Sequence, residues 1–175
     1  MAYLIDKSFF VGELNIVNPE DAKVTERINW FIAKYEPECL RKLLGYELAK
    51  LLKSETSTRM TNLKDGTEYT DTYGRLKEWT GLVNGKTSLI ANYVYYKFER
   101  DKSTVSTAKN TQVSKGENAI IVSSGEKQLK AWNDLCQKAY ELTEFLYYSN
   151  LYPEFTYIDF IDVRRYFQRQ NLFGI

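Results

Sequence analysis

The sequence predicts a mainly all-α protein: a helical bundle of about four main helices, with a long polar loop or β-hairpin arm and an extended C-terminal tail. Two observations support this prediction. Apolar residues recur at helical spacing through four segments, and residues 103–125 are almost entirely polar up to a short apolar run near their end. A single domain of 175 residues buries roughly 70% of the surface that its unfolded chain exposes.

The first helix is predicted to begin at Asn18-Pro19-Glu20-Asp21, with asparagine as the cap and proline at the first helical position. Its apolar positions at helical spacing are Val24, Ile28, Phe31 or Ile32, and Tyr35. Pro37 interrupts this pattern and predicts the start of a second helix over residues 37–53, because proline is tolerated in a first turn. The stripe of this second helix is Leu40, Leu43, Leu44, Leu48, Leu51 and Leu52.

Residues 54–85 contain the signals of a connecting region. Asp65-Gly66 predicts a tight turn that could close a small hairpin. A short helix is predicted over residues 73–80, ending at Gly81, and Asn84-Gly85 predicts a further turn.

Two long helices are predicted in the second half of the bundle. Residues 87–101 carry apolar side chains nearly all round, which predicts a central helix or one shared with a neighbour. Ser124 is predicted to cap a helix that continues to about Ser149. Its stripe is Leu129, Trp132, Leu135, Cys136, Ala139, Leu142, Phe145 and Leu146.

The chain is predicted to divide into a bundle domain, residues 1–150, and a docking tail, residues 151–175. The apolar residues of the tail fit strand alternation and helical spacing equally well. The core could absorb many of the aromatic rings, but we expect it not to absorb the whole tail cluster, which follows the last helix with no further element to pack beneath it. Residues 103–125, here called the polar arm, form a loop long enough to suggest a functional segment within the bundle domain.

Composition excludes several classes of function. With 24 Lys and Arg against 23 Asp and Glu, the net charge of +1 gives no global attraction to nucleic acid or acidic membranes. No apolar run is long enough for a signal peptide or a membrane span, so we expect no membrane partner and a cytosolic site of synthesis. Cys39 and Cys136 are interpreted as buried structural thiols.

No catalytic, cofactor or metal site is predicted, and the chain is not expected to be an enzyme. It contains no histidine, which removes the commonest general base and metal ligand. The acid pairs Glu36 with Glu38 and Asp159 with Asp162 could serve acid-base or metal chemistry, but are interpreted as surface and helix-start charge. Residues 81–87 resemble a phosphate-binding loop with one residue too few between the glycines, and the preceding segment is predicted to be helical.

The C-terminal segment carries a local basic cluster of Arg164, Arg165 and Arg169, interleaved with Tyr166 and Phe167. One interpretation is a tail that docks on a protein partner, since arginine and aromatic residues are enriched at interfaces. The alternative is a nucleic-acid-binding helical module that also uses Lys109 and Lys115. We favour the first, because three arginines in a neutral chain release few counterions.

The order of these elements resembles the head–tail connector proteins of tailed bacteriophages, also called adaptor or head-completion proteins. The resemblance covers about residues 18–153. It is carried by the helix pair containing Leu43-Leu-Gly-Tyr-Glu-Leu48, a Trp79-Thr-Gly turn, the aromatic helix with Asn92-Tyr-Val-Tyr-Tyr-Lys-Phe98, the polar loop and the long last helix. The aromatic helix and the polar residues after it are most similar to those of connector proteins from Bacteroides-infecting phages. The aromatic tail is longer than is usual in the family.

The resemblance implies a non-enzymatic virion protein that forms a homo-oligomeric ring, commonly twelve-fold, beneath the portal at the capsid vertex. The ring would bind the portal protein and the neck or tail-completion proteins, and DNA would pass through its lumen. The implied portal-docking residues are Tyr152, Phe155, Tyr157, Phe160, Arg164, Arg165, Tyr166, Phe167 and Arg169. The implied residues of an inter-subunit or lumen arm are Lys109, Asn110, Gln112, Lys115 and Asn118.

Overall fold

The structure, a computed structural model, describes residues 3–84, 88–104 and 124–171. Within these ranges the protein is mainly helical, which confirms the predicted all-α bundle. The helices and strands, in chain order, are α1 (Ala22–Ser54), α2 (Thr58–Asp65), β1 (Thr67–Thr70), β2 (Leu76–Trp79), α3 (Leu89–Thr104), α4 (Ser124–Tyr148) and α5 (Tyr157–Tyr166). None of the described helices has the length and apolar character needed to cross a bilayer.

Helix α1 corrects the prediction of two helices separated at Pro37. Its cap is Asp21 rather than Asn18, since the Asp21 carboxylate accepts the backbone N–H groups of Lys23 and Val24. The helix continues through Pro37 and changes direction at Gly45, where φ is +71°. Proline disfavours a helix interior, but buried residues on both sides of Pro37 outweigh that cost.

Helices α3 and α4 pack against each other at the centre of the molecule, as the apolar pattern of the aromatic helix predicts. Helix α1 packs on α3, and α5 packs on α4 and α1. Cys39 and Cys136 are free and buried in this core, which confirms the structural interpretation of the thiols. Burial raises the pKa of Cys136 to about 12.

The connecting region forms a helix and a hairpin, and two predictions there are wrong. Gly66 ends α2 rather than turning a hairpin. Residues predicted as a short helix over 73–80 instead supply strand β2, which pairs antiparallel with β1 so that Thr67 lies opposite Trp79. The hairpin turn is closed by Asp71, whose carboxylate accepts the backbone N–H groups of Tyr73 and Arg75 at 2.9 and 3.0 Å.

The hairpin packs on α4 through a group of buried rings around Phe145. The ring of Trp79 stacks on Phe145 at 5.7 Å, and Tyr69 and Tyr152 meet it edge-on at 5.0 and 5.3 Å. The indole N–H of Trp79 donates to the carbonyl of Leu63 at 3.0 Å. Phe145 therefore joins the hairpin, α4 and the start of the tail in one packed unit.

The N-terminal segment is held to α1 by the buried carboxylate of Glu36. The N–H of Leu4 donates to both oxygens at 3.0 Å, and the N–H of Ile5 donates at 3.2 Å. Two residues along α1, Glu38 accepts the hydroxyl of Tyr93 at 2.6 Å and the ammonium of Lys42 at 2.7 Å. Glu36 and Glu38, which the sequence analysis considers as a carboxylate pair, therefore make separate structural contacts.

The two carboxyls should give stability profiles of opposite slope. Burial raises the pKa of Glu36 above its ordinary value of 4.5, and the backbone N–H groups offset this only in part. A raised folded pKa means that the contribution of Glu36 is fully present at low pH and is lost as pH rises through the folded pKa. The free energy of unfolding should therefore fall, relative to Glu36→Gln, as pH rises from about 4 to 7.

Glu38→Gln is the matched control. Burial by itself would raise the pKa of Glu38, but hydrogen bonds from Lys42 and Tyr93 outweigh it and lower the pKa. The wild type should thus gain stability relative to Glu38→Gln as pH rises through the acid range. Urea titrations at several pH values measure both differences, and parallel profiles for the two variants would contradict the assignment.

Candidate docking surface

The tail forms a helix that is packed on the bundle, with one face left exposed. Thr156 and Asp159 cap α5 reciprocally: the Asp159 N–H donates to the Thr156 hydroxyl, and the Asp159 carboxylate accepts the Thr156 N–H. Val163 is buried on the inner side. Tyr157, Ile158 and Ile161 are exposed large apolar side chains on the same short helix.

Exposed and half-exposed rings continue from α5 across the end of α4 to the hairpin turn. Tyr157 stacks on Phe160 at 6.3 Å, and Tyr147 lies 6.2 and 5.1 Å from these two rings. Tyr148 lies 5.2 Å from Tyr147 and 6.1 Å from Tyr73. We call these five rings, Tyr73, Tyr147, Tyr148, Tyr157 and Phe160, the aromatic ribbon.

An arginine lies over each end of the aromatic ribbon. The guanidinium of Arg164 is 4.6 Å from the ring centre of Phe160 and 5.3 Å from that of Tyr140. At the other end, Arg75 is 5.1 Å from the ring centre of Tyr73 and donates from Nε to Asp71 at 2.8 Å. Stacking of this kind restricts each guanidinium before any partner arrives.

A groove of about 420 Å³ lies beside the aromatic ribbon. Its walls include Thr72 of the hairpin turn, Tyr147 and Tyr148 of α4, and Asn150 and Pro153 of the following loop. Tryptophan, tyrosine and arginine side chains of a partner commonly anchor in well-packed pockets at interfaces.

The structure divides the predicted docking residues into two groups. Tyr157, Phe160, Arg164, Arg165 and Tyr166 lie on α5, with Phe160 half-buried and the others exposed. Tyr152, Phe155 and Phe167 are buried in the chain's own core, so these three rings are not available to a partner. The core therefore absorbs three rings of the tail cluster and leaves Tyr157 and Tyr166 exposed.

Two contacts fix the start of the tail on α2. The hydroxyl of Tyr152 donates to the carbonyl of Arg59 at 2.7 Å, and Arg59 donates from Nη1 to both oxygens of Glu154 at 2.9 Å. The start of the tail packs against α2 and the hairpin, because both lie beside the end of α4. The sequence pattern does not reveal this arrangement. Arg169 lies farther along, where it donates to Oε1 of Gln137.

The predicted arm residues Lys109, Asn110, Gln112, Lys115 and Asn118 lie outside the described residues. Of the polar arm, Ser103 and Thr104 fall in the last turn of α3, and residues 124 and 125 begin α4.

Several residues of this surface were not among the predicted docking residues. Tyr147 and Tyr148 lie outside the apolar stripe of α4, which is a signal that they face away from the core. Ile158 and Ile161 have helical spacing within the tail. Tyr73 lies in a segment whose sequence pattern predicts a helix, so that pattern does not place it beside Tyr148.

The segment that resembles a phosphate-binding loop is used for packing. The N–H groups of Leu82 and Val83 donate to the carbonyls of Leu63 and Lys64 at 3.2 and 3.0 Å. The segment before it is strand β2 rather than the predicted helix. Residues 85–87 lie outside the described ranges. Among the described residues, no group of three or more Asp, Glu or Cys side chains is arranged to hold a metal ion.

The described surface combines rings of low conformational entropy, flanking arginines and an adjoining groove. These features are typical of the central part of a protein–protein interface. A comparison of the chain with protein-family models, curated proteins and solved structures finds no match. The surface itself is therefore the basis for a functional proposal.

Proposed function

We propose that this chain is a structural subunit of the head–tail connector of a tailed bacteriophage. Copies would form a ring at the capsid vertex, between the portal protein and the neck or tail-completion proteins, with packaged DNA passing through the lumen. The ring would be part of the virion and would assemble in the host cytoplasm. The proposal joins the resemblance in helix order and aromatic motifs to an exposed surface suited to protein contacts.

The aromatic ribbon and the outer face of α5 are the observation that supports this proposal. Five neighbouring rings with an arginine at each end and a groove beside them supply large apolar contact area at a fixed geometry. Tyrosine suits a surface that is wet before assembly and buried afterwards. We assign this surface to the portal contact.

Substitution of Ile158 tests the assignment. Ile158 is 70% exposed, so Ile158→Asp should leave the fold intact while placing a carboxylate in an apolar contact. Burying an unpaired charge at an interface costs a few kcal/mol, so affinity for isolated portal rings of the same virus should fall about 30-fold or more. Co-sedimentation with portal rings measures the change.

Val17→Asp is the matched control, because Val17 is also β-branched, apolar and 70% exposed, and it precedes α1 rather than lying on α5. It should bind portal rings as the wild type does. Equal affinity of Ile158→Asp and the wild type, with equal thermal stability, would remove the aromatic ribbon as the portal contact. A wild type that does not bind portal rings would remove the proposed function.

The nucleic-acid alternative has one feature in its favour, the stacking of Arg164 on rings that bases could also use. Against it, the arginine cluster is split: Arg164 lies on Phe160, whereas Arg169 contacts Gln137 of α4. This function would show as binding to single-stranded DNA that weakens steeply with salt. A flat signal at low salt would exclude it.

A further inference from the structure

The aromatic ribbon presents hydroxyl groups that the chain itself does not use. Four of its five rings are tyrosines: Tyr73, Tyr147, Tyr148 and Tyr157. None of these four hydroxyls hydrogen-bonds to another residue in the part of the chain that the structure describes. The hydroxyl of the buried Tyr152, by contrast, donates to the carbonyl of Arg59 at 2.7 Å. The aromatic ribbon therefore offers a row of hydrogen-bond donors beside apolar ring faces.

The rings follow one another at similar intervals. From Tyr73 through Tyr148 and Tyr147 to Phe160, successive ring centres are 6.1, 5.2 and 5.1 Å apart. A polyproline II segment advances about 3.1 Å per residue, so two of its residues cover roughly one ring spacing. A segment of about six residues is long enough to follow the row.

The chemistry of the aromatic ribbon distinguishes between the forms that a bound peptide can take. A helix satisfies its main-chain carbonyls internally and would leave the tyrosine donors unused. An added β-strand needs an exposed row of main-chain N–H and C=O groups, whereas the aromatic ribbon consists of side chains from α4, α5 and the hairpin turn. A polyproline II segment has no internal hydrogen bonds, so its carbonyls are free to accept from the tyrosines.

The groove beside the aromatic ribbon is suited to proline rings. Its walls include four aromatic side chains and a proline: Tyr147, Tyr148, Tyr152, Phe155 and Pro153. Proline-rich segments dock in aromatic-lined grooves of this kind. Such a segment is already extended before it binds, so it loses little conformational entropy on docking.

Positive charge at the α5 end of the aromatic ribbon indicates what should flank the prolines. Arg164 lies 4.6 Å from the ring centre of Phe160, and Arg165 is exposed beside it in sequence. Neither guanidinium forms an ion pair with a carboxylate of the described ranges, whereas Arg75 at the other end is paired with Asp71 at 2.8 Å. An acidic residue next to the prolines would complement the charge at the α5 end.

We propose that the aromatic ribbon and its groove bind a proline-rich, extended segment of the portal ring that carries an acidic residue beside its prolines. The proline rings pack on the aromatic faces, the tyrosine hydroxyls donate to the segment's carbonyls, and Arg164 binds its carboxylate. The inference rests on the proposed function for the source of the segment, the portal ring. The chemistry of the segment rests on the surface of this chain alone.

Fluorescence anisotropy with the full-length chain and labelled synthetic peptides tests this inference. The probe is a hexaproline peptide with a pair of aspartates at each end. One comparison peptide has alanines in place of the prolines, and another has lysines in place of the aspartates. The probe should bind at least about tenfold more tightly than the alanine peptide, and at least about threefold more tightly than the lysine peptide.

Three variants locate the binding site. Tyr147→Ala removes a ring shared by the aromatic ribbon and the groove, so it should weaken binding of the probe about tenfold or more. Trp30→Ala is the matched control and should bind as the wild type does, because this exposed ring has Phe31 and Tyr35 of its own helix as neighbours. Arg164→Gln should reduce the preference for the probe over the lysine peptide.

Several results would overturn the inference. These are no binding of the probe to the wild type at about 1 mM, equal binding of the proline and alanine peptides, or equal affinity of Tyr147→Ala and the wild type at equal thermal stability. Each would remove the aromatic ribbon as a site for proline-rich segments.

Co-sedimentation with portal rings separates failure of this inference from failure of the proposed function. Ring binding without probe binding would overturn the inference and leave the proposed function in place. Probe binding without ring binding would remove the portal as the source of the segment, together with the proposed function. When both bind, the probe should displace the chain from the rings, and lack of displacement would overturn the assignment of the segment to the portal contact.

Discussion

Replacing Phe145 by alanine is expected to lower the free energy of unfolding by about 3 to 5 kcal/mol. Phe145 is fully buried and touches the rings of Tyr69, Trp79 and Tyr152. Its removal leaves a cavity that the three surrounding rings cannot fill by moving inward. The substitution therefore loses the free energy of burying the phenyl ring and also the van der Waals contacts that the cavity leaves unmade. Because domains are stable by only about 5–15 kcal/mol, much of the total would be lost.

Urea denaturation followed by circular dichroism measures this change, with the dependence on urea concentration expected to be unchanged. Tyr46→Ala is the control, since Tyr46 is an aromatic residue that is 67% exposed. Its effect should stay within about 0.5 kcal/mol. A loss below about 1.5 kcal/mol for Phe145→Ala would mean that the ring cluster does not hold the hairpin to α4.

Gly81→Ala is expected to cost at least about 3 kcal/mol, through backbone strain and direct overlap. Gly81 has φ +92°, and a Cβ there would lie 2.6 Å from the carbonyl oxygen of Lys64 and 2.7 Å from the amide nitrogen of Gly66. These atoms belong to the backbone at the end of α2 and cannot move aside as a flexible side chain would. The two backbone hydrogen bonds that follow Gly81 should break with the overlap.

Gly74→Ala separates the two causes of this loss. Gly74 has φ +76°, but no atom lies within 4 Å of a Cβ built there. Its substitution should therefore cost only the conformational term, about 1–2 kcal/mol. Thermal unfolding of both variants measures the difference. Equal melting temperatures for Gly74→Ala and Gly81→Ala would show that the close approach to α2 is not maintained in solution.

The long helices were predictable because their stabilising pattern is local. The aromatic helix and the last long helix each show apolar spacing along one segment, and α3 and α4 lie close to the predicted bounds. The buried thiols followed from the same spacing. Both the helices and the buried thiols are predicted by residues that are close together in the sequence.

The errors fall where a distant contact outweighs a local preference. Pro37 favours a helix start, but burial of the flanking residues keeps α1 continuous. Asp65-Gly66 has the composition of a hairpin turn, but the glycine instead ends α2. Residues 73–80 have no decisive pattern of their own, and strand β2 forms because β1 and the ring of Phe145 lie beside it.

The candidate docking surface was likewise predictable from sequence only in part. The tail was recognisable from sequence as an aromatic and arginine-rich segment, and Tyr157, Phe160 and Arg164 were among its predicted docking residues. Only the packed structure separates these from Tyr152, Phe155 and Phe167, which fill the chain's own core. It also adds Tyr147, Tyr148 and Tyr73, which come from other elements.

By itself, the sequence determined the fold class, the two central helices and the abundance of aromatic residues. The tertiary structure decided where α1 bends, which residues pair as strands, which tail rings are exposed, and that residues 167–171 lie on α4. The physical reason is that helix periodicity depends on residues three or four apart, whereas burial depends on segments far apart in the chain.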